Sequence, residues 1–107
     1  MFENCENLKY GYIYIDNEYS AQYCFEYMFS NCYDLQIETL DLPATTLESG
    51  CYEGMFYNCY NLTQIPDELS ATILPYHCYY EMFYNCESIT DIPNILATTL
   101  SGAETCY

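Results

Sequence analysis

Residues 55–59 read Met-Phe-Tyr-Asn-Cys, and the pattern Met-Phe-x-Asn-Cys recurs along the chain with a 27-residue period. Its four copies begin at Met1, Met28, Met55 and Met82. Another column of the same phase is apolar: Leu8, Leu35, Leu62 and Ile89. The chain of 107 residues therefore divides into one array of four repeats, at residues 1–27, 28–54, 55–81 and 82–107, the last one residue short. Because Met1 is itself the first residue of a repeated motif, the array is expected to be a fragment of a longer protein.

This repeat decides the predicted fold class. A unit of this length is too small to bury its own apolar face, whereas stacked copies share a continuous core. The unit length also falls within the range of leucine-rich repeats, about 20–29 residues. The prediction is an α/β fold: a right-handed leucine-rich-repeat solenoid of four 27-residue coils, with a short parallel sheet on one face and helices on the other.

Each repeat is expected to contain one helix, and residues 45–59 show the pattern best. Cys51 and Met55 are four residues apart, which is the spacing of neighbours on one helical face. Thr45 and Glu48 match a capping box at the start of this segment. A helix over residues 45–59 is therefore predicted.

One short strand per repeat is expected to follow the helix. Residues 62–65 read Leu-Thr-Gln-Ile and end at Pro66, and residues 89–92 repeat this arrangement. The first repeat offers an alternating run at residues 12–15. The strands are expected to pair in parallel along the inner face of the array.

The charge balance restricts the choice of partner. Sixteen Asp and Glu residues stand against one basic residue, Lys9, for a net charge of −15. Such a surface repels phosphate backbones and anionic lipid, which excludes nucleic acid as a partner. No apolar run approaches the roughly 18 residues of a membrane span, so membrane insertion by this segment is not expected. The charge favours a basic protein partner, although it also simply keeps a Tyr-rich, Cys-rich chain soluble.

The repeat resembles a known family. The elements MF-x-N-C-x-x-L, a short strand ending in Ile-Pro, Leu-Pro-Ala-Thr-Thr-Leu and Cys-Tyr are similar to BspA-like leucine-rich repeats, most clearly over residues 28–100. The resemblance implies a protein of the cell surface or extracellular space that acts in adhesion or protein interaction. It implies no catalytic residue. Residues 9–23 depart from the pattern, which puts the regularity of the first coil in doubt.

Eight cysteines are present, and their spacing argues against a metal site. There is no Cys-x-x-Cys pair and His77 is the only histidine, so neither zinc nor another cofactor is expected. Two stacked columns are predicted: Cys5, Cys32, Cys59 and Cys86, and Cys24, Cys51 and Cys78. Stacked side chains hold their Cβ atoms too far apart for easy bridging, so buried free thiols are favoured over disulfides. Cys78 follows His77 in the sequence and is interpreted as a buried structural residue. A reactive thiol would need contact with a basic group and some exposure to solvent.

A candidate binding face follows from the predicted strands and from the fifteen tyrosines, which give a large contact area at low entropic cost. It comprises tyrosines expected to be exposed and polar residues on or beside the sheet: Tyr10, Tyr12, Tyr14, Gln36, Glu38, Thr63, Gln64, Thr90 and Asp91. Further carboxylates are expected just beyond it, at Asp16, Asp41, Asp67 and Glu68. The alternative is that the tyrosines only stack on one another between coils.

Three classes of function compete. The leading hypothesis is a protein-interaction or adhesion module of a surface-exposed repeat protein. The alternative is a structural array whose uncapped ends stack into homo-oligomers or filaments. An enzyme is not expected, because no carboxylate pairs with a basic group at a defined site.

Overall fold

The computed structural model describes residues 4, 9–15, 22–91, 93–95 and 99–100. Six strands lie within them: β1 (Lys9–Tyr14), β2 (Gln36–Asp41), β3 (Glu68–Leu69), β4 (Ile73–Leu74), β5 (Asn94–Ile95) and β6 (Thr99–Leu100). Three parallel pairs form: β1 with β2, β3 with β5, and β4 with β6. Tyr12 lies opposite Thr39, one full repeat further along the chain, whereas Glu68 lies opposite Asn94, one position short of a full repeat. The difference reflects the missing residue in the last repeat.

The described residues contain no helix, so the predicted α/β class is wrong and the predicted helical face of the solenoid is absent. Within the predicted helix at residues 45–59, residues 49–58 form an unbroken run of turns. The single predicted sheet is replaced by three separate two-stranded pairs. The predicted strand at residues 12–15 overlaps β1. Residues 62–65 and 89–91, which were also predicted to form strands, do not form them. Ile92 lies outside the described residues.

The turns have a period of four residues, and this explains why the helix prediction failed. Gly50, Gly54 and Asn58 have positive φ angles of 67°, 56° and 60°. Each occupies the third position of a turn, as in the turn closed by the Met55 N–H donating to the Tyr52 carbonyl at 3.2 Å. A positive φ at that position is the signature of a type II turn. A four-residue turn period places Cys51 and Met55 on one side of the chain, as a helix would.

Equivalent positions in the neighbouring repeats share this conformation. Tyr23, Tyr27 and Asn31 precede it by one repeat, and His77, Glu81 and Asn85 follow it, all with positive φ. The three described runs of turns, at residues 22–31, 49–58 and 76–85, thus lie in successive coils of the chain, with the same turns in register.

The coils are joined by hydrogen bonds from every second backbone N–H. Tyr52 donates to the Cys78 carbonyl at 2.9 Å, and Phe56 donates to the Met82 carbonyl at 2.9 Å. The same rule links the preceding coil, where Phe29 donates to the carbonyl of Met55 at 2.9 Å. In these runs of turns each donor belongs to the earlier coil, so the bonded peptide groups point the same way along the stack.

Aromatic side chains stack in step with the backbone. The rings of Phe29 and Phe56 are 5.5 Å apart and nearly parallel, and those of Phe56 and Phe83 are 5.6 Å apart. Tyr52 stacks on Tyr79 in the same way, at 5.9 Å. Such ring pairs contribute about 0.5–1.5 kcal/mol each beyond their buried area. Phe2, the remaining member of the predicted phenylalanine row, lies outside the described residues.

An asparagine ladder runs parallel to the aromatic row. The Asn58 amide donates to the Asn31 side-chain oxygen at 2.8 Å, and the Asn85 amide donates to Asn58 at 2.9 Å. Asparagine also tolerates the left-handed backbone better than most residues. The Asn of the repeated motif therefore serves both the turn and the contact between coils.

Two glycines are required by the rings of the preceding coil. A Cβ on Gly50 would overlap the Tyr23 ring, and a Cβ on Gly54 would overlap the Tyr27 ring. Both glycines also have positive φ, which L-residues with a Cβ rarely adopt. The rings of Tyr23 and Tyr27 occupy the space that a side chain on Gly50 or Gly54 would need.

We expect Gly54→Ala to lower the free energy of unfolding by about 2–4 kcal/mol, because it combines backbone strain with overpacking against Tyr27. Gly11→Ala is the matched control: its Cβ would meet only the Glu38 Oε2 atom, at 3.7 Å. Urea denaturation followed by circular dichroism measures both. Equal effects of the two substitutions would contradict this assignment.

The six cysteines within the described residues are free thiols, and all except the exposed Cys24 are buried. Cys59 Sγ donates to the Phe29 carbonyl at 3.1 Å, and Cys86 Sγ donates to the Phe56 carbonyl at 3.0 Å. The thiols therefore link coils as well as fill space. Cys24 does not share the burial of Cys51 and Cys78, the other members of its predicted column. Cys5 and Cys106 lie outside the described residues.

Burial raises the pKa of the Cys86 thiol to about 12, from an ordinary value of 9.0. Above pH 9 the unfolded chain releases this proton while the folded chain retains it, so stability is lost as the pH rises through that window. Between these two pKa values, one such thiol lowers the free energy of unfolding by about 1.4 kcal/mol per pH unit. Replacing it should therefore flatten the dependence of stability on pH in the alkaline range.

Cys86→Ser keeps a donor for the Phe56 carbonyl but removes the titrating thiol. We expect its unfolding free energy, measured by urea denaturation between pH 9 and pH 10.5, to fall less steeply than that of the unaltered chain. Cys24→Ser, on an exposed thiol, should leave the slope unchanged. Parallel slopes for all three chains would refute the role given to Cys86.

Candidate interaction surface

Tyr12 and Tyr14 form an exposed aromatic pair at one end of the stack. Their side chains are 57% and 54% exposed, and their rings lie 6.4 Å apart at an angle of 14°. The Tyr12 hydroxyl donates to Asp41 Oδ2 at 2.9 Å, and this hydrogen bond raises the pKa of Tyr12. Ile13 between them is buried, so the alternation of β1 directs both tyrosines outward.

A groove of about 300 Å³ opens where the third and fourth repeats meet. Its walls include four residues of the predicted binding face, namely Thr63, Gln64, Thr90 and Asp91. Ile65, Pro66 and Asp67 complete the lining. The structure therefore brings together residues one repeat apart that the sequence had predicted to be neighbours.

A second groove, of about 360 Å³, adjoins the first through their shared residue Asp67. It is lined by Tyr14, Asp41, Leu42, Pro43, Asp67, Glu68 and Ser70. We refer to the two grooves with the tyrosine pair as the acidic face, defined by Tyr12, Tyr14, Asp41, Asp67, Glu68 and Asp91. It crosses successive repeats.

The carboxylates of the acidic face have no cationic partners in the described part of the chain. Lys9 is the only Lys or Arg present, and the one salt bridge among the described residues joins His77 to Glu53. Among the residues that the structure describes, no cation therefore pairs with the negative charges of this face. Such a face attracts cationic groups and repels anionic ones.

The remaining predicted residues lie near this face. Gln36 and Glu38 are exposed on β2, and the Gln36 amide donates to the Asn61 carbonyl at 3.0 Å. Tyr10 belongs to β1, but its side chain, like all of Asp16, lies outside the described residues. The apolar groove residues Leu42, Pro43 and Ile65 were not predicted as part of a site, because apolar residues and prolines between repeats look purely structural in the sequence.

Other tyrosines follow the alternative interpretation and stack between coils. Tyr33 lies 5.1 Å from Tyr60, and Tyr57 lies 4.8 Å from Tyr84, with nearly parallel rings. Tyr12 and Tyr14 are neighbours along one strand instead. Some tyrosines thus stabilise the stack of coils, whereas Tyr12 and Tyr14 form an exposed pair.

A buried ionisable pair lies away from the acidic face. Nδ1 of His77 is 3.3 Å from Oε2 of Glu53, and the imidazole is sandwiched between Tyr76 and Tyr80. Burial raises the pKa of the Glu53 carboxyl; repulsion from Glu26 adds to this rise, and attraction to His77 opposes it. Cys78, next to His77, is fully buried. No group of three or more His, Cys, Asp or Glu within the described residues is arranged to hold a metal ion.

The part of the chain that the structure describes holds no helix with the length and apolar character needed to cross a membrane.

The chain matches no protein-family model, no curated protein and no solved structure.

The raised pKa of Glu53 predicts an unusual dependence of stability on pH. The folded chain binds the proton more tightly than the unfolded chain, so the free energy of unfolding should rise as the pH falls from 8 toward the ordinary carboxyl pKa of about 4.5. Glu53→Gln should be more stable than the unaltered chain at pH 8 and show a weaker pH dependence. Glu48→Gln, at an exposed position, is the control. A decrease in stability of Glu53→Gln at pH 8 would show that the pairing with His77 outweighs the cost of burial.

Proposed function

We propose that this chain is a protein-interaction module whose acidic face binds a basic segment of a partner protein. The observation that carries the proposal is a continuous surface of four carboxylates and two exposed tyrosines, with no salt bridge to these carboxylates among the described residues. The resemblance to BspA-like repeats supports a role in adhesion, carried out at the cell surface as part of a larger protein.

The stack gives this face two properties that favour binding. Its backbone is held by hydrogen bonds between coils, such as the 2.8 Å bond from Gly54 to Tyr80, so little entropy is lost when a partner docks. Tyr12 and Tyr14 offer ring faces to Lys or Arg, whose attraction to an exposed ring is worth about 0.5–1 kcal/mol. The carboxylates accelerate encounter with a cationic partner and orient it.

The test compares two double variants that change the net charge equally. Asp67→Asn with Asp91→Asn neutralises two carboxylates of the acidic face, whereas Glu48→Gln with Glu87→Gln neutralises two exposed carboxylates that line neither groove. The probe is a synthetic lysine-rich peptide, and its dissociation constant is measured by isothermal titration calorimetry. The first pair should weaken binding by roughly fivefold or more, and the second pair by less than about twofold.

The affinity should also fall as salt is raised, because the attraction between exposed charges is screened. If both double variants weaken binding to the same extent, the peptide responds to net charge alone and the acidic face is not a binding site. A glutamate-rich peptide of the same length should not bind at all.

A further inference from the structure

A loop in the third repeat presents an asparagine and a threonine to solvent two residues apart. Asn61 lies in a turn, and residues 62–66 after it form neither a helix nor a strand. Asn61 and Thr63 are exposed, whereas Leu62 between them is buried. In extended backbone, successive side chains point to opposite sides. Both polar side chains therefore face outward while the leucine packs in the core.

Residues 61–63 match the acceptor sequence for N-linked glycosylation. That sequence is Asn-x-Ser or Asn-x-Thr, where x is not proline, and it attaches a bulky, solubilising sugar to the surface of a secreted protein. No other residues of the chain match it. The equivalent residues 34–36 and 88–90 begin with Asp and Ser instead of Asn. The repeat pattern therefore does not require an asparagine at this position.

The contacts of Asn61 are compatible with an attached sugar. Its backbone N–H donates to the Tyr33 carbonyl at 3.1 Å, and its carbonyl accepts from the Gln36 side chain at 3.0 Å. Its side-chain amide donates to Asp34 Oδ1 at 2.5 Å. A carboxamide has two N–H groups, so replacing one hydrogen by a sugar leaves the other to donate to Asp34.

Asn58, three residues earlier, has the opposite surroundings. Its side-chain amide donates to Asn31 at 2.8 Å, and its side-chain oxygen accepts from Asn85 at 2.9 Å. It is only half-exposed, and its φ angle of 60° belongs to the run of turns. A sugar on Asn58 would have to fit into the asparagine ladder between coils. Access to an enzyme therefore differs between the two asparagines.

We propose that Asn61 is a site of N-linked glycosylation, with an oligosaccharide linked to a lipid diphosphate as the sugar donor. In this transfer the Asn61 Nδ2 atom forms a bond to the anomeric carbon of the first sugar, and the bond from that carbon to the diphosphate oxygen breaks. The lipid diphosphate leaves with the bonding electron pair, and the amide nitrogen releases one proton. The proposal rests on the cell-surface location proposed above and does not depend on the acidic face.

The test incubates the folded chain with a purified single-subunit eukaryotic oligosaccharyltransferase and its lipid-linked oligosaccharide. Release of the glycan by peptide-N-glycosidase in heavy-oxygen water converts the modified asparagine to a labelled aspartate, which mass spectrometry locates. We expect the label at Asn61. Thr63→Ser should keep the modification and Thr63→Ala should abolish it, because the acceptor sequence needs a hydroxyl at this position. An unmodified Asn61 in the unaltered chain would overturn the proposal.

A matched variant tests whether the exposure of Asn61 selects the site. Tyr60→Thr combined with Thr63→Ala moves the acceptor sequence to Asn58. We expect this folded variant to be modified at least about tenfold more slowly, because the Asn58 side chain must first leave two hydrogen bonds. Equal rates at the two sites would overturn the role given to exposure. Should circular dichroism show that the variant is unfolded, Ser88→Asn with Thr63→Ala asks the same question at the equivalent loop of the fourth repeat, where modification is expected and its absence would overturn that role.

The outcomes for glycosylation and for peptide binding are distinguishable. The lysine-rich peptide is titrated into the unmodified chain, so peptide binding without glycosylation rejects Asn61 as a modification site and leaves the acidic face in place. Glycosylation without peptide binding rejects the acidic face alone. The glycosylated chain should have a free energy of unfolding no lower than that of the unmodified chain, since the contact with Asp34 is kept. A clear loss of stability in urea denaturation would overturn the compatibility of this site with the fold.

Discussion

The hydrogen bond from every second backbone N–H to the carbonyl of the next coil is the interaction on which the structure depends. The peptide groups between these bonds donate to carbonyls of their own coil and so close turns. Every fourth residue then has a positive φ angle, as at Gly50, Gly54 and Asn58. Once the backbones are in register, equivalent side chains lie directly over one another. The phenylalanine row, the asparagine ladder and the buried thiols all follow from that one arrangement.

The same arrangement explains what holds together a chain with a charge of −15, in which the one salt bridge among the described residues joins His77 to Glu53. Stacked rings and backbone bonds supply the cohesion, so carboxylates can remain outside. Asp41, Asp67 and Asp91 are presented from successive repeats in this way. A surface left unneutralised by the fold is available to a partner. The tyrosines of β1 stand beside it on a six-residue strand that pairs with β2, also of six residues, whereas the described strands of the third and fourth repeats have two residues each.

Much of the candidate site was accessible from the sequence, whereas the secondary structure was not. The 27-residue period predicted Thr63, Gln64, Thr90 and Asp91 on one face, and all four line one groove, because a stack of repeats brings equivalent positions together. The helix predicted at residues 45–59 was wrong, because a run of turns with a four-residue period gives nearly the same side-chain spacing as a helix. Gly50, Gly54 and Asn58 were the available signal, as these residue types favour positive φ. Tyr23, Tyr27 and Glu81 gave no such signal, because their residue types do not favour it.

Sequence alone determined the repeat, its length, the surplus of negative charge and which residues are equivalent. These are properties of residue identity and order, and they hold whatever path the backbone takes. The tertiary structure alone decided where each backbone N–H finds its acceptor. That choice depends on a second coil lying alongside the first, since Tyr52 pairs with Cys78 only when residues far apart in the chain are brought into contact. The side-chain spacing was compatible with a helix, and the acceptors offered by the neighbouring coil fit the run of turns instead.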